Sequence, residues 1–123
     1  MSALTLTAVA IGTGAGACLR YVTDRLVTPR VEHQFPTATF IVNVIGSFIL
    51  GVIAGLVTHH DVSNNVRLLI GTGLCGGLTT FSTFGYETLR LVESKNRGLA
   101  GFYVFVSVAA GLAAAAAGLA IAG

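Results

Sequence analysis

Charged side chains are scarce in this chain of 123 residues. Only 10% of the residues are Asp, Glu, Lys or Arg, whereas 54% are hydrophobic. Soluble domains carry about 25% charged residues. The chain therefore has too few charges to cover a surface in contact with water, and a soluble globular fold is excluded.

Cysteines and basic residues are also few, and each shortage excludes a class of function. Cys18 and Cys75 both lie within apolar stretches, where a thiol behaves as a small hydrophobic side chain. Two such cysteines form neither a disulfide framework nor a zinc site. The net charge of +2 involves no basic stripe, so no nucleic-acid partner is expected. No nucleophile, base and orienting group stand at a useful spacing, so no enzyme activity is expected.

The sequence contains four long stretches without a charged side chain, at residues 1–19, 33–60, 68–86 and 98–123. Each reaches the roughly 18 to 20 apolar residues that cross a bilayer as a helix. No basic residue precedes the first stretch, so we expect it to be retained rather than cleaved as a signal peptide. We predict an all-α membrane protein, a single transmembrane domain over residues 1–123. Its four helices are expected at about Leu4–Tyr21, Thr37–Thr58, Val66–Leu91 and Gly98–Ala120.

Basic residues are divided unequally between the two ends of these helices. The opposite end carries only Arg67, whereas the end shared by the first and third connections carries Arg20, Arg25, Arg30, Arg90, Lys95 and Arg97. The positive-inside rule relates such a bias to orientation. It predicts that the first and third connections are cytoplasmic and that both termini lie outside.

Two short motifs formally match ligand sites but lack the context that those sites need. His59, His60 and Asp61 are adjacent on a polar turn, so their side chains point in different directions and an interfacial turn is favoured over a metal site. Residues Gly71 to Gly76 match the dinucleotide-binding pattern GxGxxG, which has meaning only between a strand and a helix. Neither motif predicts a site here.

Polar side chains recur at helical spacing within the apolar stretches. They form stripes of Thr39, Asn43 and Ser47, of Thr79 and Thr83, and of Tyr103 and Ser107, beside the pair Phe81 and Phe84. Ser and Thr can instead bond to their own helix. Three stripes together nevertheless indicate a pathway, because buried polar groups in a membrane mark functional sites. Hydroxyls, an amide and ring edges suit an anion.

Glycines are placed where helices must pack closely or break. Gly12 with Gly16 and Gly51 with Gly55 have the four-residue spacing that lets helix backbones approach in lipid. Gly76 and Gly77 precede two β-branched threonines, which predicts a break in helix 3. Broken helices in membranes expose carbonyls that can bind a cation.

The stretch GLCGGLTTFSTF, residues 73–84, resembles the signature of the Fluc (CrcB) family of fluoride channels. GTGAGACLRY at residues 12–21 and TATFIVNVIGSFILG at residues 37–51 are similar to that family as well. The resemblance implies a subunit that dimerises in antiparallel, dual-topology fashion, with two fluoride pores at the interface. It also implies a structural sodium ion at the dimer centre, which is not transported and is held by the backbone carbonyls of Gly76 and Thr79.

The same resemblance assigns roles along the pores. It implies that Arg20 and Glu87 border the vestibule and mouth, and that the pore is lined by Asn43, Phe81, Ser82, Thr83, Phe84, Tyr103 and Ser107. Two features depart from the family pattern. Gly111 and Ala115 replace hydroxyl residues on helix 4, and the charge bias suits a paired homologous subunit as well as a second copy of this chain.

The expected function is passive, fluoride-selective efflux across the inner (plasma) membrane, by a multi-pass protein surrounded by lipid. One alternative is a small four-helix proton-coupled drug exporter, which needs a membrane-buried carboxylate that helix 1 lacks ahead of Arg20. A second is a non-conducting assembly subunit, which would leave the threonines and phenylalanines unexplained.

Overall fold

The computed structural model describes residues 2–27, 35–59 and 63–123, and it contains four helices long and apolar enough to cross a membrane. Helix α1 is Ala3–Val27 and α2 is Thr37–His59. The third span, Arg67–Glu93, follows the short α3, Asn64–Val66. It consists of a π-helical segment Arg67–Cys75, then α4, Gly76–Leu78, and α5, Phe81–Glu93. The fourth span is α6, Arg97–Ala122. The predicted all-α membrane architecture with four spans is confirmed.

Helix α1 ends at Val27, six residues beyond the predicted end at Tyr21. The prediction stopped where charged residues begin, but Asp24 and Arg25 extend the helix without a proline or glycine to end it. A basic residue in the last turn also interacts favourably with the helix dipole. Arg30, His60 and Asp61 lie outside the described residues.

Helix α1 packs on the third span through backbone that only glycine permits. A Cβ on Gly16 would overlap the Leu74 carbonyl oxygen, and one on Gly77 would overlap the Thr13 carbonyl oxygen. A Cβ on Gly12 would likewise overlap the carbonyl oxygen of Leu69. The prediction that Gly12 and Gly16 serve close helix packing is therefore confirmed.

Helices α2 and α6 form the second closely packed pair. A Cβ on Gly51 would overlap the Ala115 carbonyl oxygen, and one on Gly118 would overlap the Phe48 carbonyl oxygen. Gly55 faces Ala122, whose Cβ would lie 2.9 Å from an added Cβ. The backbone of Ala115 thus lies at the close approach of α2 and α6.

Aromatic rings pack together between α2, α5 and α6. Tyr103 is fully buried, with Leu91 and Ala100 beside it. Its ring lies 5.3 Å from Phe35 and 5.0 Å from Phe84, measured between centroids. This cluster fixes α5 against α6 at the level of the site described next.

Candidate functional site

Two extended residues interrupt the helical backbone of the third span. Thr79 has φ −82° and ψ 158°, and Thr80 has φ −152° and ψ 116°. Gly76 remains helical at φ −63° and ψ −38°, so the extended residues are the threonines rather than the glycines. β-Branched side chains favour extended backbone, which accounts for this position.

Side chains supply the hydrogen bonds that a continuous helix would otherwise make here. Asn43 Oδ1 accepts from the Thr80 backbone N–H at 2.9 Å, and Asn43 Nδ2 donates to the Thr80 carbonyl at 3.3 Å. Arg20 Nε donates to the Gly77 carbonyl at 3.3 Å. The Thr80 hydroxyl caps α5 by accepting from the Thr83 N–H at 3.1 Å. Buried backbone groups need such partners in lipid.

Thr79 is held by its own helix and by a glycine on α2. Its hydroxyl donates to the Cys75 carbonyl at 2.7 Å, the back-bonding that the sequence left open as an alternative. A Cβ on Gly46 would overlap the Thr79 methyl carbon. Gly46 therefore makes room for the threonine, and the Thr79 hydroxyl is not a free donor.

An open groove of about 860 Å³ runs along α2, the third span and α6. Among the residues that line it are Asn43, Ser47, Gly76, Phe81, Phe84 and Ser107, with Arg67 at its far end. We call this the central groove. Phe81 is 85% exposed in the single chain, so its ring is open to lipid or to a second protein surface.

Aromatic rings and a carboxylate form a continuous line beside the central groove. The Phe81 and Phe84 centroids are 6.1 Å apart, and those of Phe84 and Tyr103 are 5.0 Å apart. The Tyr103 hydroxyl donates to Glu87 Oε1 at 3.4 Å, and the buried Thr39 also interacts with that carboxylate. Glu87 therefore lies at the middle of α5 and among polar partners from two other helices.

Ser107 carries the one buried side-chain oxygen that lacks a hydrogen-bond partner among the described residues. It lines the central groove one turn beyond Tyr103. A buried hydroxyl without a partner costs about 1–3 kcal/mol. On the next turn, a Cβ on Gly111 would lie 3.5 Å from Ser47 Oγ, so the serine of α2 borders the space that a side chain on α6 would otherwise occupy.

A second, smaller pocket of about 330 Å³ shares Thr80 with the central groove. Arg20, Asp24, Thr39, Thr80 and Thr83 are among its lining residues. This arginine pocket joins a basic side chain to hydroxyls at the N-terminal end of α5. Such helix ends attract anions.

The structure thus brings most of the predicted site residues around the extended threonines, but not all to one surface. Asn43, Phe81, Phe84 and Ser107 share the central groove, whereas Arg20 and Thr83 face the arginine pocket. Ser82 is exposed, and it is not among the described lining residues of either cavity. The sequence did not indicate that Asn43 bonds to the Thr80 backbone, because its partner is 37 residues away.

Comparisons with known proteins give one consistent result. The family model "CrcB-like protein, Camphor Resistance (CrcB)" matches residues 7–119. A Streptomyces avermitilis protein named "Fluoride-specific ion channel FluC 1" is 51% identical over 115 residues, 90% of each chain. One of the same name from Frankia casuarinae is 50% identical over 119 residues, 93% of this chain and 92% of the relative. "Fluoride-specific ion channel FluC" of Novosphingobium aromaticivorans is 44% identical over 115 residues, 92% of this chain and 91% of the relative.

Proposed function

Because the chain belongs to the CrcB family, we propose that it is a fluoride-selective channel that lets fluoride leave the cytoplasm passively. It is an ion channel and not an enzyme, and it is a multi-pass protein of the plasma membrane. The observation within the structure that supports this function best is the line of Phe81, Phe84 and Tyr103 beside the unpartnered hydroxyl of Ser107.

The chemistry of this line suits a small anion. The rim of an aromatic ring is electropositive, and a serine hydroxyl donates a hydrogen bond. Fluoride leaves water only where close donors replace its hydration shell, as selectivity filters do for other ions. Ser107 then gains a hydrogen-bond partner that none of the described residues provides, and larger chloride fits the same spacing less well.

The position of each site residue assigns it a role in the proposed channel. Phe81, Phe84 and Ser107 line the central groove and with it the proposed fluoride path. Tyr103 is buried against Phe84 and joins this path from behind that ring. Thr83 lies at the arginine pocket together with Arg20 and Asp24. Glu87 accepts from Tyr103 and thereby fixes the orientation of that phenol. Asn43 borders the same path, whereas Ser82 takes part only if its exposed side chain meets another subunit.

We propose that two subunits associate antiparallel through their central grooves. The exposed ring of Phe81 and the open groove support this arrangement, since a second copy would cover both. Basic residues are unequally divided between the two ends of the spans. Among the described residues, one end carries only Arg67, whereas the other carries Arg20, Arg25, Arg90, Lys95 and Arg97. A paired homologous subunit in the opposite orientation is therefore the second possible partner.

Orientation can be tested with one introduced cysteine. A Gly123→Cys variant in a Cys18→Ser, Cys75→Ser background is expressed, and intact cells are treated with a membrane-impermeant thiol reagent. Two orientations of this chain predict that about half of the copies react before detergent is added. Reaction of nearly all copies or of almost none in intact cells would show one orientation and would favour the paired subunit.

We further propose a structural sodium ion at the centre of this dimer, held by the carbonyls of Gly76 and Thr79. Carbonyls at interrupted membrane helices coordinate sodium in other transport proteins. The residues fit the ion: Gly76 borders the central groove, and among the described residues nothing outside its own stretch of helix lies within 4 Å of a Cβ built on it. One subunit offers two carbonyls, so an antiparallel partner would complete the ligand set. When bound, sodium would stabilise the dimer by joining the two interrupted helices.

Selectivity provides the test of the proposed channel. Liposomes that contain the purified protein are loaded with fluoride or with chloride, and the released anion is followed with an ion-selective electrode. We expect fast fluoride release and no chloride release above protein-free liposomes. Equal release of the two anions would contradict the assignment. Proton-driven uptake of a cationic drug would instead support the exporter, which the relatives do not favour.

A further inference from the structure

The side-chain amide of Asn43 bonds to the backbone of Thr80 through both of its functions. Its oxygen accepts from the Thr80 N–H at 2.9 Å, and its nitrogen donates to the Thr80 carbonyl at 3.3 Å. A neighbouring β-strand would make the same pair of bonds to an extended residue. The Asn43 side chain on α2 therefore replaces the backbone of a neighbouring strand and holds Thr80 in its extended conformation.

This bonding has a consequence four residues earlier in the chain. In a continuous α-helix, the Thr80 N–H would donate to the carbonyl of Gly76. Here it donates to Asn43 instead, so the Gly76 carbonyl lacks its usual helical partner. Gly76 itself keeps helical dihedrals and borders the central groove. The Gly76 carbonyl thus lacks this helical hydrogen bond because a side chain on α2 accepts from the Thr80 N–H in its place.

The surroundings of Thr79 agree with this arrangement. Its hydroxyl donates its proton to the Cys75 carbonyl at 2.7 Å, and this bond fixes the side chain back along its own helix. The side chain of Thr79 is fixed against Gly46 of α2. Both contacts hold the threonine next to the residue that Asn43 keeps extended.

We propose that Asn43 is a positioning residue for the cation site: by holding Thr80 extended, it keeps the carbonyls of Gly76 and Thr79 available as ligands. The proposal rests on the sodium site of the proposed function. It gives Asn43 a role that differs from direct contact with the permeating anion. Partners that orient metal ligands in this way change metal affinity by about 10- to 100-fold when they are removed.

The dependence of dimer stability on sodium distinguishes the positioning role of Asn43 from direct contact with the permeating anion. The thermal unfolding of the purified protein is measured in detergent over a range of sodium concentrations, with N-methylglucamine chloride keeping the ionic strength constant. A ligand that binds only the folded state raises its stability with concentration, so the sodium concentration that gives half of the maximal stabilisation reports affinity. Fluoride release is measured in parallel.

Three variants complete the design. Asn43→Leu has a similar size but removes both bonds to Thr80, and it should raise the half-maximal sodium concentration about 10- to 100-fold. Asn43→Gln keeps a donor and an acceptor on a longer side chain, and it should raise that concentration less. Ser47→Ala, one turn along α2 and on the same groove, should leave it unchanged.

Each other outcome overturns the inference in a recognisable way. If Asn43→Leu loses fluoride release but keeps the original sodium dependence, Asn43 acts on the anion directly. If neither Asn43 variant forms a dimer at any sodium concentration, the residue is a general folding requirement. If the unmodified protein shows no sodium dependence, the sodium site fails together with this inference, whereas its fluoride release still supports the channel.

Discussion

Replacing Phe81 by isoleucine removes the electropositive ring edge and keeps a bulky apolar side chain. Phe81 is 85% exposed in the subunit, so the change should alter the free energy of unfolding of the subunit by less than about 0.5 kcal/mol, as for other exposed positions. If the ring edge replaces one hydration contact of fluoride, its loss resembles that of a hydrogen bond to a charged group, about 1.5–3 kcal/mol. Each 1.36 kcal/mol in a barrier is a tenfold change in rate, so fluoride flux should fall about 10- to 160-fold.

The assay is fluoride release from liposomes at matched amounts of reconstituted protein, with dimer content checked by size-exclusion chromatography. Phe105→Ile is the matched control, because Phe105 is also on the surface of the subunit, at 73% exposure, and lines a different groove on α6. Its flux should equal that of the unmodified protein. Equal flux for Phe81→Ile and Phe105→Ile, with both proteins dimeric, would refute the ring-edge mechanism.

Three further predictions concern packing, the unpartnered hydroxyl and a strained turn. Gly16→Ala should destabilise the protein by about 1–3 kcal/mol in thermal unfolding, because its Cβ would overlap the Leu74 carbonyl oxygen. The control Gly14→Ala, whose Cβ meets open space among the described residues, should not destabilise it. Ser107→Ala should leave thermal stability unchanged or raised and should slow fluoride release, since the hydroxyl has no partner within the described part of the chain; normal release would contradict its role in the path. Lys95→Gly should raise the free energy of unfolding by about 1 kcal/mol, because Lys95 has φ 64°; a lower unfolding temperature would contradict this.

The fold was predictable to the extent that it depends on hydropathy. Four uncharged stretches predicted four spans, and all four are present. The end of α1 was wrong by six residues because hydropathy marks where the apolar stretch ends, not where the helix ends. The π-helical segment Arg67–Cys75 was not predicted, since α- and π-helical turns use the same kinds of residue and differ only in hydrogen bonding.

The site was predictable in composition but not in its bonding. Helical spacing brought Phe81 and Phe84 to one face, and the structure places both on the central groove. Ser82 is adjacent in sequence to Phe81 but points about 100° away around the helix, which explains why it is not among the described residues that line the central groove. The pairing of Asn43 with Thr80 depends on how α2 packs against the third span. No local pattern in the sequence encodes that contact.

The central claim is that this chain by itself conducts fluoride as a charged ion. It is tested most directly by loading liposomes that contain only this protein with potassium fluoride and recording external fluoride with an electrode. A channel for the bare ion should release little fluoride until valinomycin lets potassium follow, and then release it rapidly. No release after valinomycin from protein shown to be folded and dimeric, or full release before valinomycin is added, would contradict the claim.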